Sequence, residues 1–205
     1  MIRNIVFDMG QVLIHWTPQQ FTQSMPLSRE EKELLHREVF RNVEWVMLDR
    51  GTITEEDAAA SMCRRLPEKL HPYARELVTG WWKNPRKPME GMARLVRELK
   101  ENGYGIYLLS NASLRLRTYF PWIPGSECFD GLFVSAEHRL LKPQHEIFET
   151  FLQTFALDPA QCFFIDDGPA NVEGALRAGM AGAVFLGDAE RLRRELRAAG
   201  ITCNE

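Results

Sequence analysis

Short apolar runs, each followed by a polar residue, recur along the chain. The first lies within residues 1–10, where Ile5, Val6 and Phe7 lead directly into Asp8. Continuous apolar runs of this length are typical of strands that are buried on both faces of a parallel sheet. The same pattern predicts four further strands, at residues 105–109, 129–134, 162–165 and 183–186.

Apolar residues at helical spacing separate the later strands from one another. Met92, Leu95, Val96 and Leu99 form one such stripe, and residues 147–155 carry another. Strands that alternate with helices indicate a parallel sheet with helices on both of its faces. The chain is therefore predicted to be an α/β protein built on a Rossmann-like parallel sheet.

The segment from residue 16 to residue 82 contains no strand-like run, but it does contain helix-start signals. Ser28 and Glu31 form a capping box that opens a helix running toward Phe40. Thr54 marks another helix start. The segment therefore reads as a helical insertion.

Turn and linker signals complete the organisation of the chain. Residues 49–52 read as a turn, residues 68–82 as a further helix, and the proline-rich residues 84–88 as a linker. The predicted domains are an α/β core at residues 1–15 plus 84–205 and an inserted α-helical cap at residues 16–83.

Composition excludes several classes of partner. The chain has 205 residues, of which 45% are hydrophobic, and a net charge of −3. This charge gives no electrostatic reason to expect nucleic acid or an anionic membrane as a partner. No segment has the apolar length of a membrane span. The four cysteines show no metal-type spacing or disulfide framework, so a reducing, cytoplasmic location is expected.

Polar side chains with complementary chemistry follow the predicted strands. Asp8, Ser110 and the pair Asp166 and Asp167 each come directly after a strand, and Lys142 lies in the loop after another. Taken singly, each has an ordinary explanation as a helix cap, a turn or a solvated lysine. In a parallel sheet, however, these strand ends lie at one edge, so the groups can converge.

The converging groups suggest one kind of chemistry. Three carboxylates offer the hard oxygen ligands that suit Mg²⁺. A lysine and a serine hydroxyl beside them can hold the oxygens of a phosphoryl group. Asp8 could then attack phosphorus as a carboxylate nucleophile.

Four motifs in this order resemble those of the haloacid dehalogenase superfamily, in its phosphatase branch. They are FDMGQVL, LLSN, the lysine of LLKPQHEIFE, and FFIDDGPANVEGA. The insertion resembles the type-one helical cap of that superfamily. Its segment VEWVMLDRGTITEEDAA is similar to caps in the group that includes bacterial sugar-1-phosphate phosphatases and the amino-terminal phosphatase domain of epoxide hydrolases.

The resemblance implies roles for the polar residues of the first three motifs. Asp8 would be the nucleophile and a metal ligand. Ser110 would bind the transferring phosphoryl group, with Asn111 beside it. Lys142 would neutralise charge on the nucleophile and on the phosphate.

The last motif would complete the magnesium site. Asp167 is implied as the direct Mg²⁺ ligand, and Asp166 as the residue that holds Lys142 or a metal-bound water. Asn171 would support these groups. The expected reaction is Mg²⁺-dependent hydrolysis of a small phosphorylated metabolite, such as a sugar phosphate, through an aspartyl-phosphate intermediate.

One motif position departs from the family pattern. Phosphatases of this superfamily usually carry a second aspartate two residues after the nucleophile, which protonates the leaving group and later activates water. Here that residue is Gly10, whose backbone carbonyl can still bind the metal. The resembling glucose-1-phosphate phosphatases also have glycine there. His15, at the junction with the insertion, is either a replacement acid/base or an ordinary loop histidine.

Two alternatives stay open at the level of the sequence. A metal-free 2-haloacid dehalogenase also uses an aspartate nucleophile, although it needs no pair such as Asp166 and Asp167. A non-catalytic phosphate-binding protein would explain the glycine at position 10. Turnover that survives a chelator would favour the first, and absence of phosphatase turnover the second.

Overall fold

The computed structural model describes residues 1–84 and 86–203, and it contains a five-stranded parallel sheet. In chain order the strands are β1 (Asn4–Phe7), β2 (Gly105–Ser110), β3 (Gly131–Val134), β4 (Cys162–Asp166) and β5 (Ala181–Val184). Their spatial order is β3-β2-β1-β4-β5, with every pair parallel. The predicted parallel α/β sheet is confirmed, and β1 lies at its centre.

The fifth strand lies two residues earlier than predicted. It covers Ala181–Val184, whereas the apolar run pointed to residues 183–186. Small residues make this strand because a Cβ at Gly182 would lie 2.8 Å from the Phe164 carbonyl oxygen on β4. Leu186, although apolar, is exposed beyond the end of the strand.

A helical insertion separates β1 from the rest of the core. Its elements are α1 (Gln20–Gln23), α2 (Arg29–Leu35), a π-helical turn (His36–Phe40), α3 (Val43–Arg50), α4 (Glu55–Cys63), α5 (His71–Thr79) and two 3₁₀ turns (Glu68–Leu70 and Trp81–Lys83). The capping box that opens α2 is present, with Ser28 and Glu31 satisfying each other's backbone N–H. Thr54 caps α4 as predicted.

The predicted turn at residues 49–52 is wrong in part. Asp49 and Arg50 are the last residues of α3, a helix that the sequence pattern did not predict. Gly51 ends this helix with a left-handed φ of 71°. Val43 and Val46 of α3 are exposed, so its apolar residues form no regular stripe that would reveal a helix.

Six further α-helices of the described residues belong to the core. They are α6 (Met92–Glu101), α7 (Leu116–Tyr119), α8 (Ser135–His138), α9 (His145–Thr154), α10 (Pro169–Arg177) and α11 (Ala189–Ala198). Side chains of β1 point alternately to two buried clusters, since Ile5 and Phe7 join the cluster that includes α6 and α11. Val6 joins the cluster formed by α9 and α10. Helices therefore cover both faces of the sheet.

The two connections between the core and the insertion run side by side. The His15 N–H donates to the Lys87 carbonyl at 2.9 Å, and the Met89 N–H donates to the Leu13 carbonyl at 2.9 Å. Of the linker predicted at residues 84–88, Pro85 lies outside the described residues. Within the described residues, no helix combines the length and apolar character that crossing a membrane requires.

Candidate active site

Asp8 and Lys142 form the centre of the site at the carboxyl edge of the sheet. Asp8 follows β1, and its backbone N–H donates to the Ile165 carbonyl on β4 at 2.9 Å. The Lys142 ammonium lies 2.9 Å from Asp8 Oδ1 and donates to the Leu109 carbonyl at 2.9 Å. The Asp8 side chain is 13% exposed and that of Lys142 only 1%. Asp8 is therefore accessible, while the ammonium that faces it is buried.

Asp166 holds Lys142 from the other side. It ends β4, is fully buried, and its Oδ2 lies 2.5 Å from Lys142 Nζ. Its Oδ1 accepts hydrogen bonds from the Gly168 N–H (2.7 Å) and the Asn171 side-chain amide (2.9 Å). Burial alone would lower the pKa of Lys142, but the charges of Asp8 and Asp166 outweigh burial and raise it. Lys142 therefore stays charged.

Asp167 completes a cluster of three carboxylates. One oxygen from each of Asp8, Asp166 and Asp167 lies within 4.8 Å of the others. Burial, followed by the charges of Asp8 and Asp166, raises the pKa of Asp167. Because the only ammonium bound to the cluster among the described residues is Lys142, negative charge remains uncompensated. An all-oxygen donor set with excess negative charge fits a divalent cation such as Mg²⁺.

Ser110 and Asn111 lie at the end of β2 and line the cavity beside Asp8. Ser110 is 1% exposed. The Asn111 side-chain oxygen accepts from the Lys142 N–H at 2.8 Å, and its amide donates to the Lys142 carbonyl at 3.0 Å. Asn111 thus holds the loop that carries Lys142, a contact that the sequence did not predict. Phosphate binding by Ser110 and Asn111 stays a prediction.

The cavity beside Asp8 has a volume of about 200 Å³ and one aromatic side. Four residues form this side, here called the aromatic wall: Trp16, Trp45, Trp81 and Tyr119. The Trp16 and Trp81 rings meet edge-on with centroids 4.9 Å apart, and Trp81 contacts Tyr119 at 5.4 Å. The cavity therefore combines a charged edge with an apolar face, and the sequence pattern had not singled out this wall.

A family model matches most of the chain. It is described as "Hydrolase: haloacid dehalogenase-like hydrolase" and covers residues 2–179. The chain belongs to the haloacid dehalogenase-like hydrolases. The resemblance carried by the four sequence motifs is thus confirmed at the level of the superfamily, and the chain is an enzyme of this type.

Named relatives narrow the chemistry of this hydrolase. The sesquiterpene phosphatase astK of Aspergillus oryzae is 30% identical over 199 residues, which cover 94% of this chain and 93% of that protein. Flavin mononucleotide hydrolase 1 of Arabidopsis thaliana is 24% identical over 208 residues, which cover 96% of this chain and 77% of that protein. Both names describe hydrolysis at phosphate, so the relatives support the phosphatase branch.

A solved structure shares the fold. It is a haloacid dehalogenase family enzyme from Bacteroides thetaiotaomicron in complex with magnesium and inorganic phosphate. The two structures superpose with a TM-score of 0.64 at 23% identity, over 94% of this chain and 99% of that one. The α/β core of the hydrolase is thus the architecture of this superfamily.

Gly10 leaves open space at the usual acid/base position of the family. It lines the cavity, and a Cβ added there would meet Trp16 Cβ at 3.7 Å, an ordinary contact. His15 lies at the base of the insertion, where its backbone pairs with Lys87. Among the described residues that line the cavity, His15 does not occur. Its role in proton transfer stays a prediction.

Asp49 is a cavity residue that the sequence analysis missed. It lies at the carboxyl end of α3 and lines the cavity together with Ser113. Burial, and then the charge of Asp8, hold the pKa of Asp49 well above its usual range. Two signals could have revealed α3, namely the capping residue Asn42 before it and Gly51 after it. Neither signal would have shown that Asp49 faces Asp8.

Proposed function

We propose that this hydrolase is a Mg²⁺-dependent phosphatase that cleaves a small phosphate monoester through an aspartyl-phosphate on Asp8. The observation that carries the proposal is the placement of Asp8 between a buried ammonium and an open cavity. Lys142 lies 2.9 Å from Asp8 Oδ1, and Asp8, Ser110 and Asp167 line the same cavity. Residues 16–83 would form the cap over this site.

Each core residue has a distinct task in the proposed reaction. Asp8 attacks phosphorus with a carboxylate oxygen, and Ser110 donates a hydrogen bond to a phosphoryl oxygen. Lys142 offsets the charge that gathers on both reactants, which is the main contribution an enzyme makes to phosphoryl transfer. Mg²⁺ held by Asp8, the Gly10 carbonyl and Asp167 would supply further charge neutralisation and orientation. Asp166 keeps Lys142 in place.

The aromatic wall supports a substrate with an apolar or aromatic leaving group. Aromatic side chains bury large apolar areas, and edge-on pairs such as Trp16 and Trp81 form a rigid surface. One relative is named a sesquiterpene phosphatase, and a sesquiterpene has an apolar hydrocarbon skeleton. In a sugar phosphate, which the resemblance led us to expect, polar hydroxyls would face the apolar rings of the aromatic wall. We therefore rank prenyl and aryl phosphates above sugar phosphates.

Turnover of a substrate panel tests the proposal. Prenyl phosphates, flavin mononucleotide, p-nitrophenyl phosphate and sugar phosphates are each assayed with Mg²⁺ and with excess EDTA. We expect phosphate release only with Mg²⁺, with the highest kcat/KM for leaving groups that have an apolar face. Full activity of metal-stripped protein in EDTA, or release of halide from 2-haloacids, would instead support the dehalogenase. Binding of inorganic phosphate without any turnover would support the non-catalytic protein.

The free cysteines support the expected compartment. Cys63, Cys128, Cys162 and Cys203 are unpaired thiols in the structure. Thiols persist in reducing compartments, so the cytoplasm stays our proposed location.

A further inference from the structure

The position that usually carries the second aspartate of this family holds no proton donor here. Gly10 contributes only backbone to the cavity, and a Cβ there would make only an ordinary contact with Trp16 Cβ at 3.7 Å. An alkoxide leaving group still needs a proton, and the water that cleaves an aspartyl-phosphate still has to lose one. The required group must therefore come from another element.

Asp49 is the carboxylic acid that another element brings to this cavity. Apart from Asp8 and Asp167, it is the only acidic residue among the described residues lining the cavity. Asp8 is the nucleophile of the proposed reaction, and Asp167 belongs to the carboxylate cluster. Tyr119 also lines the cavity, but burial raises the pKa of its hydroxyl, which disfavours release of its proton. Asp49 is left as the group available for proton exchange.

Several contacts position Asp49 at this place. The Ser135 hydroxyl donates to its backbone carbonyl at 2.5 Å, and the neighbouring Arg50 donates to the Gln144 side chain at 3.0 Å. Gly51 lies so close to the core that a Cβ would come within 2.1 Å of the Ala136 carbonyl oxygen. The carboxyl end of α3 is thus docked on α8 and on Gln144, which precedes α9.

We propose that Asp49, supplied by the insertion, is the catalytic acid and base of this hydrolase in place of the aspartate that Gly10 lacks. This inference rests on the phosphatase function proposed above. It assigns a catalytic role to a residue outside the four motifs of the core.

The proposed reaction transfers the phosphoryl group first to Asp8 and then to water. An Asp8 oxygen forms a bond to phosphorus while the ester P–O bond breaks, and the electron pair of that bond stays on the leaving oxygen. That oxygen takes the proton of the Asp49 carboxyl group, so the alcohol departs neutral. A water oxygen then bonds to phosphorus as Asp49 accepts its proton. The bond between phosphorus and Asp8 breaks, and its electron pair returns to the Asp8 carboxylate.

Rapid-mixing kinetics of Asp49→Asn separate the two steps. With p-nitrophenyl phosphate, whose leaving group needs little protonation, we expect a fast burst of about one equivalent of p-nitrophenol followed by slow turnover. With an alkyl phosphate we expect no burst and a steady-state rate lower by about 100-fold or more. Asp49→Ser, which keeps a polar side chain but exchanges no proton at neutral pH, should behave in the same way. Glu56→Gln, an exposed carboxylate of α4 outside the cavity, is the matched control.

Rescue at the vacant family position gives a second readout. A Cβ fits at Gly10. The double variant Asp49→Asn with Gly10→Asp should therefore hydrolyse an alkyl phosphate at least tenfold faster than Asp49→Asn alone. A residue needed only for docking of α3 would not be replaced in this way.

Three outcomes would overturn the assignment of Asp49. The first is unchanged steady-state rates in both Asp49 variants. The second is a parallel loss of burst and turnover in variants whose circular dichroism matches that of the wild type. The third is a selective loss of alkyl phosphate turnover in His15→Gln but not in Asp49→Asn. Wild-type protein that hydrolyses no phosphate ester would overturn the proposed function itself, and the role of Asp49 with it. Wild-type activity is therefore measured first.

Discussion

The sheet edge and the docked end of α3 bring acidic residues to the same cavity by different physical means. Asp8 directly follows β1 and Asp166 ends β4, and these neighbouring parallel strands are paired with Phe7 opposite Ile165. Backbone hydrogen bonds between β1 and β4 therefore set the distance between these carboxylates. Asp49 reaches the cavity from a helix that is joined to the core by side-chain contacts and by one close glycine contact.

The groups at the sheet edge are positioned by the fold itself, whereas Asp49 is positioned only when α3 is docked on the core. A parallel sheet places successive strand ends at one edge, whatever its loops do. The position of α3 depends on a few side-chain contacts, and the next helix, α4, is joined to the core by paired hydrogen bonds from Arg115 to Glu55 at 2.8 and 2.7 Å. Changes at the sheet edge should therefore abolish the reaction, and changes at the docking contacts should weaken it.

The largest expected effect lies at the sheet edge. Asp8→Asn should reduce turnover by about 10⁴-fold or more, because the amide is a poor nucleophile and no covalent intermediate can form. Asp158→Asn, an exposed aspartate before β4, provides the control. The measurement is phosphate release, together with a crystal structure of the wild type with BeF₃⁻. Density for BeF₃⁻ away from Asp8, or residual turnover near that of the wild type, would contradict the nucleophile assignment.

A smaller effect is expected where α3 meets the core. Gly51→Ala places a Cβ within 2.1 Å of the Ala136 carbonyl oxygen and strains a φ of 71°. We expect kcat for an alkyl phosphate to fall by up to about 100-fold, since a displacement of about 1 Å at a reacting group can cost that much. The wild-type and variant enzymes are compared at saturating Mg²⁺.

Gly103→Ala is the matched control for this change. Gly103 has a φ of 87°, but a Cβ there would meet nothing within 4 Å. It therefore reproduces the backbone strain without the clash. Equal losses of activity in the two variants would show that docking of α3 does not govern the reaction.

The smallest effect concerns stability within the insertion. Glu44 of α3 is buried and accepts hydrogen bonds from Arg65 at 2.7 and 2.9 Å and from Ser61 at 2.6 Å. The hydrogen bond from Arg65 is the largest cause that lowers the pKa of Glu44 to about 2. We expect Glu44→Gln to lower the free energy of unfolding at neutral pH by about 2 kcal/mol.

The pH dependence of stability tests the same contact. Because the pKa of Glu44 is lower in the folded protein, its stabilisation is present above the unfolded pKa of about 4.3. It is lost as the pH falls toward about 2. Urea unfolding between pH 7 and pH 3 should show this loss in the wild type and in Glu68→Gln, an exposed control, but a smaller loss in Glu44→Gln. Identical pH slopes in all three proteins would contradict it.

The sequence alone was sufficient for the parallel sheet, apart from the exact position of β5, and for bringing the polar groups to its edge. Apolar runs that end in Asp8, Ser110 and Asp166 mark both the strands and their carboxyl ends, because strand burial and strand polarity are local properties of the chain. Parallel topology then places these ends together without further information. The loop residue Lys142 was found in the same way, from its position after a strand.

Only the tertiary structure decided the opposite side of the cavity. Asp49 lies in a helix whose apolar residues form no stripe, and its approach to Asp8 depends on the packing of α3 against α8. The aromatic wall likewise combines three insertion residues with Tyr119 of the core. Contacts of this kind join segments far apart in the chain through side-chain packing, which has no fixed period. No local pattern of residues could therefore have predicted them.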